Sequence, residues 1–115
     1  MSARLQTWLW IAQRGSAMVL AVCVSVHLVT MVIAVRGGLT AAEILARTQG
    51  QLAWLIFYSV FVAAVTVHAV VGLRAVLGET LGWRGWLRDL WLGAVALLLF
   101  IVGARAVLGV FGAGQ

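Results

Sequence analysis

"LAWLIFYSVFVAAVTVHAVVGL", residues 52–73, decides what kind of protein this chain is: it holds one histidine, His68, and no Asp, Glu, Lys or Arg. A bilayer core about 30 Å thick takes roughly 20 apolar residues in helical form, and this run is long enough to cross it. Residues 17–35 and 90–111 are two more such runs; the last carries Arg105, whose long stem reaches the far interface while its charge stays wet. The chain as a whole agrees. At 115 residues, 64% hydrophobic and 10% charged, with a mean hydropathy of +1.12, it carries more apolar surface than one soluble core of this size hides. A removable signal peptide is the rival reading of 17–35, but the run is longer than a typical h-region and lacks a small-residue cleavage site after it. The expected fold is all-α: an integral membrane protein with three transmembrane helices, about 17–35, 52–73 and 90–111, forming a single domain over 1–115.

The flanks of these runs set the orientation. Eight basic residues, all arginine, face three acids for a net charge of +5. They stand singly between apolar runs, without the clustering and interleaved stacking aromatics that nucleic-acid binding favours. The connection 78–91, "GETLGWRGWLRDLW", mixes Trp83, Trp86 and Trp91 with Arg84 and Arg88, as expected at headgroup level. With Trp8 and Trp10, five of the six tryptophans fall on one side, together with Arg4, Arg14, Arg74, Arg84 and Arg88; Arg36, Arg47 and Arg105 face the other. The positive-inside rule then puts the N-terminus in the cytoplasm and the C-terminus outside. In the other connection Thr40 precedes Glu43 by three residues, a capping-box spacing that predicts a surface helix of about two turns.

The spans hold two histidines, His27 and His68. An imidazole nitrogen without a partner in hydrocarbon costs several kcal/mol, so an intramembrane histidine is a functional candidate by default; the plain alternative is a hydrogen bond to a Ser or Thr of another helix. On the first helix Ser16, Cys23, His27, Thr30 and Ala34 share a face that Leu20 interrupts; on the second Ala64, His68, Gly72 and Ala75 do, with bulk returning at Phe61. Small residues around a histidine suit a planar macrocycle lying between helices, and they equally suit plain helix packing. The single Cys23 supports neither a disulfide framework nor a thiolate site, zinc spacing is absent, and no intramembrane carboxylate completes a non-haem centre. Haem b with imidazole ligands is the cofactor most consistent with isolated intramembrane histidines. Counted from Arg14 and Arg74, the two rings differ in depth by roughly 10 Å. They therefore do not clamp one iron, and each needs a ligand from a partner chain: two haems, or one haem and a structural histidine.

His68, Gly72, Arg74 and Glu79 together resemble the H-x-x-x-G-x-R signature, followed by an acid, of the cytochrome b membrane-anchor subunits of succinate dehydrogenase and fumarate reductase, the complex II family. "QRGSA" at 13–17 is similar to that family's H-R-x-S-G entry to the first spanning helix, with Gln13 in place of the histidine and Ala17 in place of the glycine. Ala75 stands where a histidine commonly follows the arginine, and Trp10 where a quinone-site serine often lies. The resemblance implies half of a larger haem-binding helical bundle. In it, a flavoprotein subunit oxidises succinate, an iron–sulfur subunit relays electrons, and the anchor with a second anchor subunit delivers them to quinone beside haem b. Carried over residue by residue, it implies His68 as haem axial ligand, Arg74 at a haem propionate, and Arg14 and Ser16 at the quinone site. His27 is similar to the first-helix histidine of di-haem members, a second axial ligand. Two rivals from other classes are a haem-free anchor or assembly subunit and a small proton-relay transporter subunit.

Overall fold

The computed structural model describes residues 2–112, and among them there is no strand. The chain runs α1 (Ala3–Arg36), α2 (Ala41–Thr48), α3 (Leu52–Thr80) and α4 (Trp86–Gly112). The three helices α1, α3 and α4 are long and apolar enough to cross a membrane. Between the first two, α2 closes on the expected capping box: the Glu43 N–H donates to Thr40 Oγ1 and the Thr40 N–H to Glu43 Oε2, both at 3.2 Å.

The long helices outrun the apolar stretches at one end of the molecule. Ser2 caps α1 by accepting from the Leu5 N–H at 3.2 Å, and with no proline in the chain nothing interrupts the turns that lead into the first apolar run. At 1.5 Å per residue the 34 residues of α1 reach about 51 Å, the long axis of a 50 × 24 × 23 Å rod. That exceeds the roughly 40–45 Å of a bilayer with its headgroups. The overhang carries Trp8 and Trp10 on α1, and Trp10 lines one cavity with Arg84 of the α3–α4 connection, so the end expected to hold five of the six tryptophans and five of the eight arginines is the one where the helices overhang.

Helix α3 lies in the middle, packed against α1 on one side and α4 on the other, while α2 touches α4. Its neighbours are antiparallel. Gln13 meets Gly72, Ser16 meets His68 and His27 meets Tyr58, so each residue up α1 is one residue down α3. On the other side Arg74 meets Asp89, Val62 meets Gly103, and the Gly50 N–H donates to the Phe111 carbonyl at 2.8 Å. Geometry requires glycine at both kinds of position, a turn and a close helix contact. Gly38, at φ 69°, turns the chain out of α1. Gly103 lets α4 approach α3 so closely that a Cβ there would lie 2.5 Å from Val62 Cγ1.

The buried residues are few and mostly small: Ser16, Cys23 and Ala34 on α1, Ala64 on α3, Arg88, Leu92 and Val107 on α4. Of the α1 row, Ser16, Cys23 and Ala34 are buried and His27 and Thr30 half-buried, so this face is the one turned to α3. The small stripe thus serves helix-on-helix contact within the chain rather than leaving an open slot. In lipid, where no hydrophobic force drives helices together, close approach is what holds them. The large apolar side chains point outward instead: Met18 is 71% exposed, Leu97 61% and Phe100 54%.

Candidate functional site

His68 stands half-buried on α3, facing Ser16, which is 8% exposed. The Ser16 hydroxyl donates to the Gln13 carbonyl one turn back at 3.1 Å, and His68 Nδ1 lies 3.5 Å from the same Oγ. A back-bonded serine is common in membrane helices. With its one proton on the nearer carbonyl, the Ser16 oxygen can accept from the imidazole in the tautomer that carries its hydrogen on Nδ1. In that tautomer Nε2 is the lone-pair nitrogen, and among the described residues no hydrogen-bond donor engages it. One turn further, the missing side chain of Gly72 keeps the Gln13 amide close: a Cβ there would sit 3.0 Å from Gln13 Nε2.

His27 has aromatic surroundings. Its Nδ1 lies 3.3 Å from Tyr58 Oη, and its ring packs edge-on against Tyr58 and Phe61, with centroids 6.0 and 5.9 Å away. Tyr58 in turn stacks on Trp54 at 5.8 Å. Among the described residues the phenol has no second hydrogen-bond partner, so its proton is free to point either toward the imidazole or away from it. The level of His68 on α1 is that of Ser16, eleven residues from His27, and at 1.5 Å per residue the two imidazoles are about 16 Å apart in depth. The separation exceeds the roughly 10 Å counted from the arginines because Arg14 and Arg74 are not level. With Gln13 beside Gly72, Arg74 sits nearly one turn further toward the helix end.

That end holds an open cleft of about 410 Å³ between the start of α1, the end of α3 and the start of α4. Gln6, Trp10 and Gln13 line it from α1, and Gly72, Arg74, Glu79, Arg84 and Arg88 complete it. Gln13 Oε1 is buried with no hydrogen-bond partner among the described residues, an omission that costs about 1–3 kcal/mol unless a donor from outside them fills it. Arg74, expected at a haem propionate, donates from Nη1 to Asp89 Oδ1 at 3.1 Å. Arg88 grips the same oxygen from Nε and Nη2 at 3.0 and 2.9 Å and reaches the Trp83 carbonyl at 3.4 Å. One carboxylate oxygen thus gathers two guanidinium groups, leaving the cluster net positive while clipping α3 to α4. The sequence marks Arg88 only as an interfacial arginine, and the one signal for Asp89 is an acid in the first turn of α4.

The expected quinone pair separates. Ser16 turns into the α1–α3 contact, whereas Arg14 is exposed, its guanidinium carbon 5.8 Å from the Trp10 ring centroid. Arg14 does not line the cavity that Trp10 and Gln13 share. Two residues along a helix is about 200° of rotation, which puts them on opposite faces.

The succinate dehydrogenase/fumarate reductase transmembrane subunit family matches residues 1–108. No curated protein and no solved structure matches the chain.

Proposed function

Because the chain belongs to the succinate dehydrogenase/fumarate reductase transmembrane subunit family, we propose that it is the haem b-binding electron-transfer anchor of such a complex, passing electrons from an iron–sulfur subunit to membrane quinone. The observation that carries the haem assignment is the hydrogen-bond state of His68: Nδ1 faces an oxygen whose own proton is engaged elsewhere. This leaves Nε2 in the form that binds iron. The orphaned Gln13 Oε1 beside Gly72 and the arginines is a second mark of a site that another molecule completes. When bound, haem b supplies a reversible one-electron carrier between the iron–sulfur partner and quinone.

In this reading His68 is an axial ligand and His27, about 16 Å deeper on the helical-rise estimate, is the ligand of a second haem. The Arg74–Asp89–Arg88 cluster would supply the guanidinium groups that meet the haem propionates, Arg74 being the nearest of them to His68 in sequence. Arg14 offers donors to a quinone carbonyl from the outer face of α1, in a site whose other wall is a partner chain. Ser16 acts at His68 rather than at the quinone. The large apolar side chains left exposed supply the surface for a second anchor subunit, which contributes the missing ligands; the iron–sulfur and flavoprotein subunits cover the arginine-rich end. That end, with the N-terminus, lies in the cytoplasm, and the membrane is the inner (cytoplasmic) one.

Both imidazoles already bridge helices, which favours a haem-free anchor as the second reading. Purification of the tagged chain from its native membrane separates the two. The haem reading requires co-purifying anchor, iron–sulfur and flavoprotein subunits and a haem b band in the reduced-minus-oxidised spectrum. A complete, active complex without that band leaves the haem-free anchor. Recovery of a stable, active monomer contradicts both. Reporter fusions that place the N-terminus outside overturn the orientation.

A further inference from the structure

We propose that Ser16 is a positioning residue for haem: it fixes the tautomer and the ring orientation of His68, so that Nε2 is presented as the metal-binding nitrogen. The inference rests on the reading of His68 as an axial ligand and deepens it. Three observations carry it. Ser16 is 8% exposed and lies on the face of α1 that packs on α3, so its hydroxyl must find partners inside the protein. The shorter of its two contacts, 3.1 Å, is to a carbonyl that can only accept. Its longer contact, 3.5 Å, is to a ring nitrogen that can donate. A hydroxyl has one proton, and the carbonyl takes it. His68 Nδ1 must then supply the hydrogen of the second contact, which places the ring's lone pair on Nε2.

The arrangement is a relay of constraint from backbone to ligand. The Gln13 carbonyl belongs to the helix ladder of α1, so it orients the serine; the serine orients the imidazole on the facing helix. An outer hydrogen bond of this kind holds a ligating imidazole in place and raises its basicity, and losing one typically costs 10–100-fold in metal affinity. His27 lacks the equivalent device, because the Tyr58 proton is not committed to any other described acceptor.

The test uses the assembled complex with Ser16→Ala, Ser16→Thr, Ser16→Val and His68→Ala. Alanine removes only the oxygen and is the better helix former, threonine keeps a hydroxyl able to back-bond, and valine has the shape of threonine without it. The readouts are haem retention against an apoprotein haem scavenger, the midpoint potential and the ferric electron paramagnetic resonance spectrum. The alanine and valine complexes are expected to lose the His68-linked haem 10–100-fold more readily and to show a raised potential and a shifted spectrum, with threonine returning all three toward wild type. If alanine and valine match wild type in retention, potential and spectrum while His68→Ala loses the haem, the role of Ser16 is overturned and the ligand assignment stands. If His68→Ala keeps the full haem content, the ligand assignment falls, and this inference with it. Should the alanine complex fail to assemble, the threonine–valine difference decides: equal behaviour of the two overturns the role of Ser16.

Discussion

His68 and His27 are the same residue in the same kind of helix contact, each with Nδ1 aimed at an oxygen of the facing helix, at 3.5 and 3.3 Å. They differ in what that oxygen is doing. The Ser16 hydroxyl has a nearer backbone carbonyl to donate to, at 3.1 Å, whereas the Tyr58 proton has no other described taker. The surroundings differ as well: Gly72 and Ser16 around His68, against Tyr58, Phe61 and Trp54 around His27. Function at a membrane histidine is therefore legible in the commitments of its partner rather than in its spacing from other histidines. A hydrogen bond between membrane helices is worth only about 0.6 kcal/mol on average, too little to explain an imidazole in lipid by itself. Yet it is enough to choose between two tautomers that are nearly equal in energy.

The largest effect is expected from removing the scaffold that the two sites share. Gly103→Leu pushes a side chain into a place where even a Cβ would meet Val62 Cγ1 at 2.5 Å, and Val62 lies between the levels of the two histidines on α3. Overpacking of this kind costs about 1–3 kcal/mol, and the recovered complex should fall with loss of both haem signals together; Gly103→Ala combined with Val62→Ala should restore most of the yield on size-exclusion chromatography. His27→Ala comes next and splits the comparison: the second haem should vanish from the per-complex haem count while the His68 component keeps its potential. Tyr58→Phe keeps the ring that packs on His27 and deletes only the hydroxyl. It should shift the potential of the His27 component without loss of haem, and an unchanged potential would mean the phenol does not act on the ring. Least of all, Thr40→Ala removes a cap worth about 1 kcal/mol. Amide exchange should rise across residues 41–48 with both haem signals intact, which makes it a control remote from either histidine.

What the sequence disclosed was mostly local. The three spans follow from run length and hydropathy, and the Thr40–Glu43 box from a spacing of three residues, because both depend on neighbours along one helix. The end that collects Trp8, Trp10, Trp83 and Trp86 was likewise visible, since alternation of spans fixes sides. The contacts that give the sites their chemistry were not. Ser16 and His68 are 52 residues apart, and nothing in either segment says which face of α1 meets which face of α3. A small-residue stripe looks the same whether it admits a cofactor or a neighbouring helix, and here Cys23 and Ala34 are buried in helix contact. The ion pair of Arg74 with Asp89 spans the turn between α3 and α4, a contact that spacing along one helix does not disclose. The depth difference between the histidines came out short because arginines mark an interface only to within a helical turn.

The most direct test of His68 as a haem ligand is a redox titration of the haem b difference spectrum, per assembled complex, in wild type and His68→Ala. The predicted result is two components in wild type and loss of one in the variant, with the His27 component still present and still reducible. Full haem content and an unchanged titration in His68→Ala would contradict it, leaving His68 and Ser16 as a packing contact between α1 and α3.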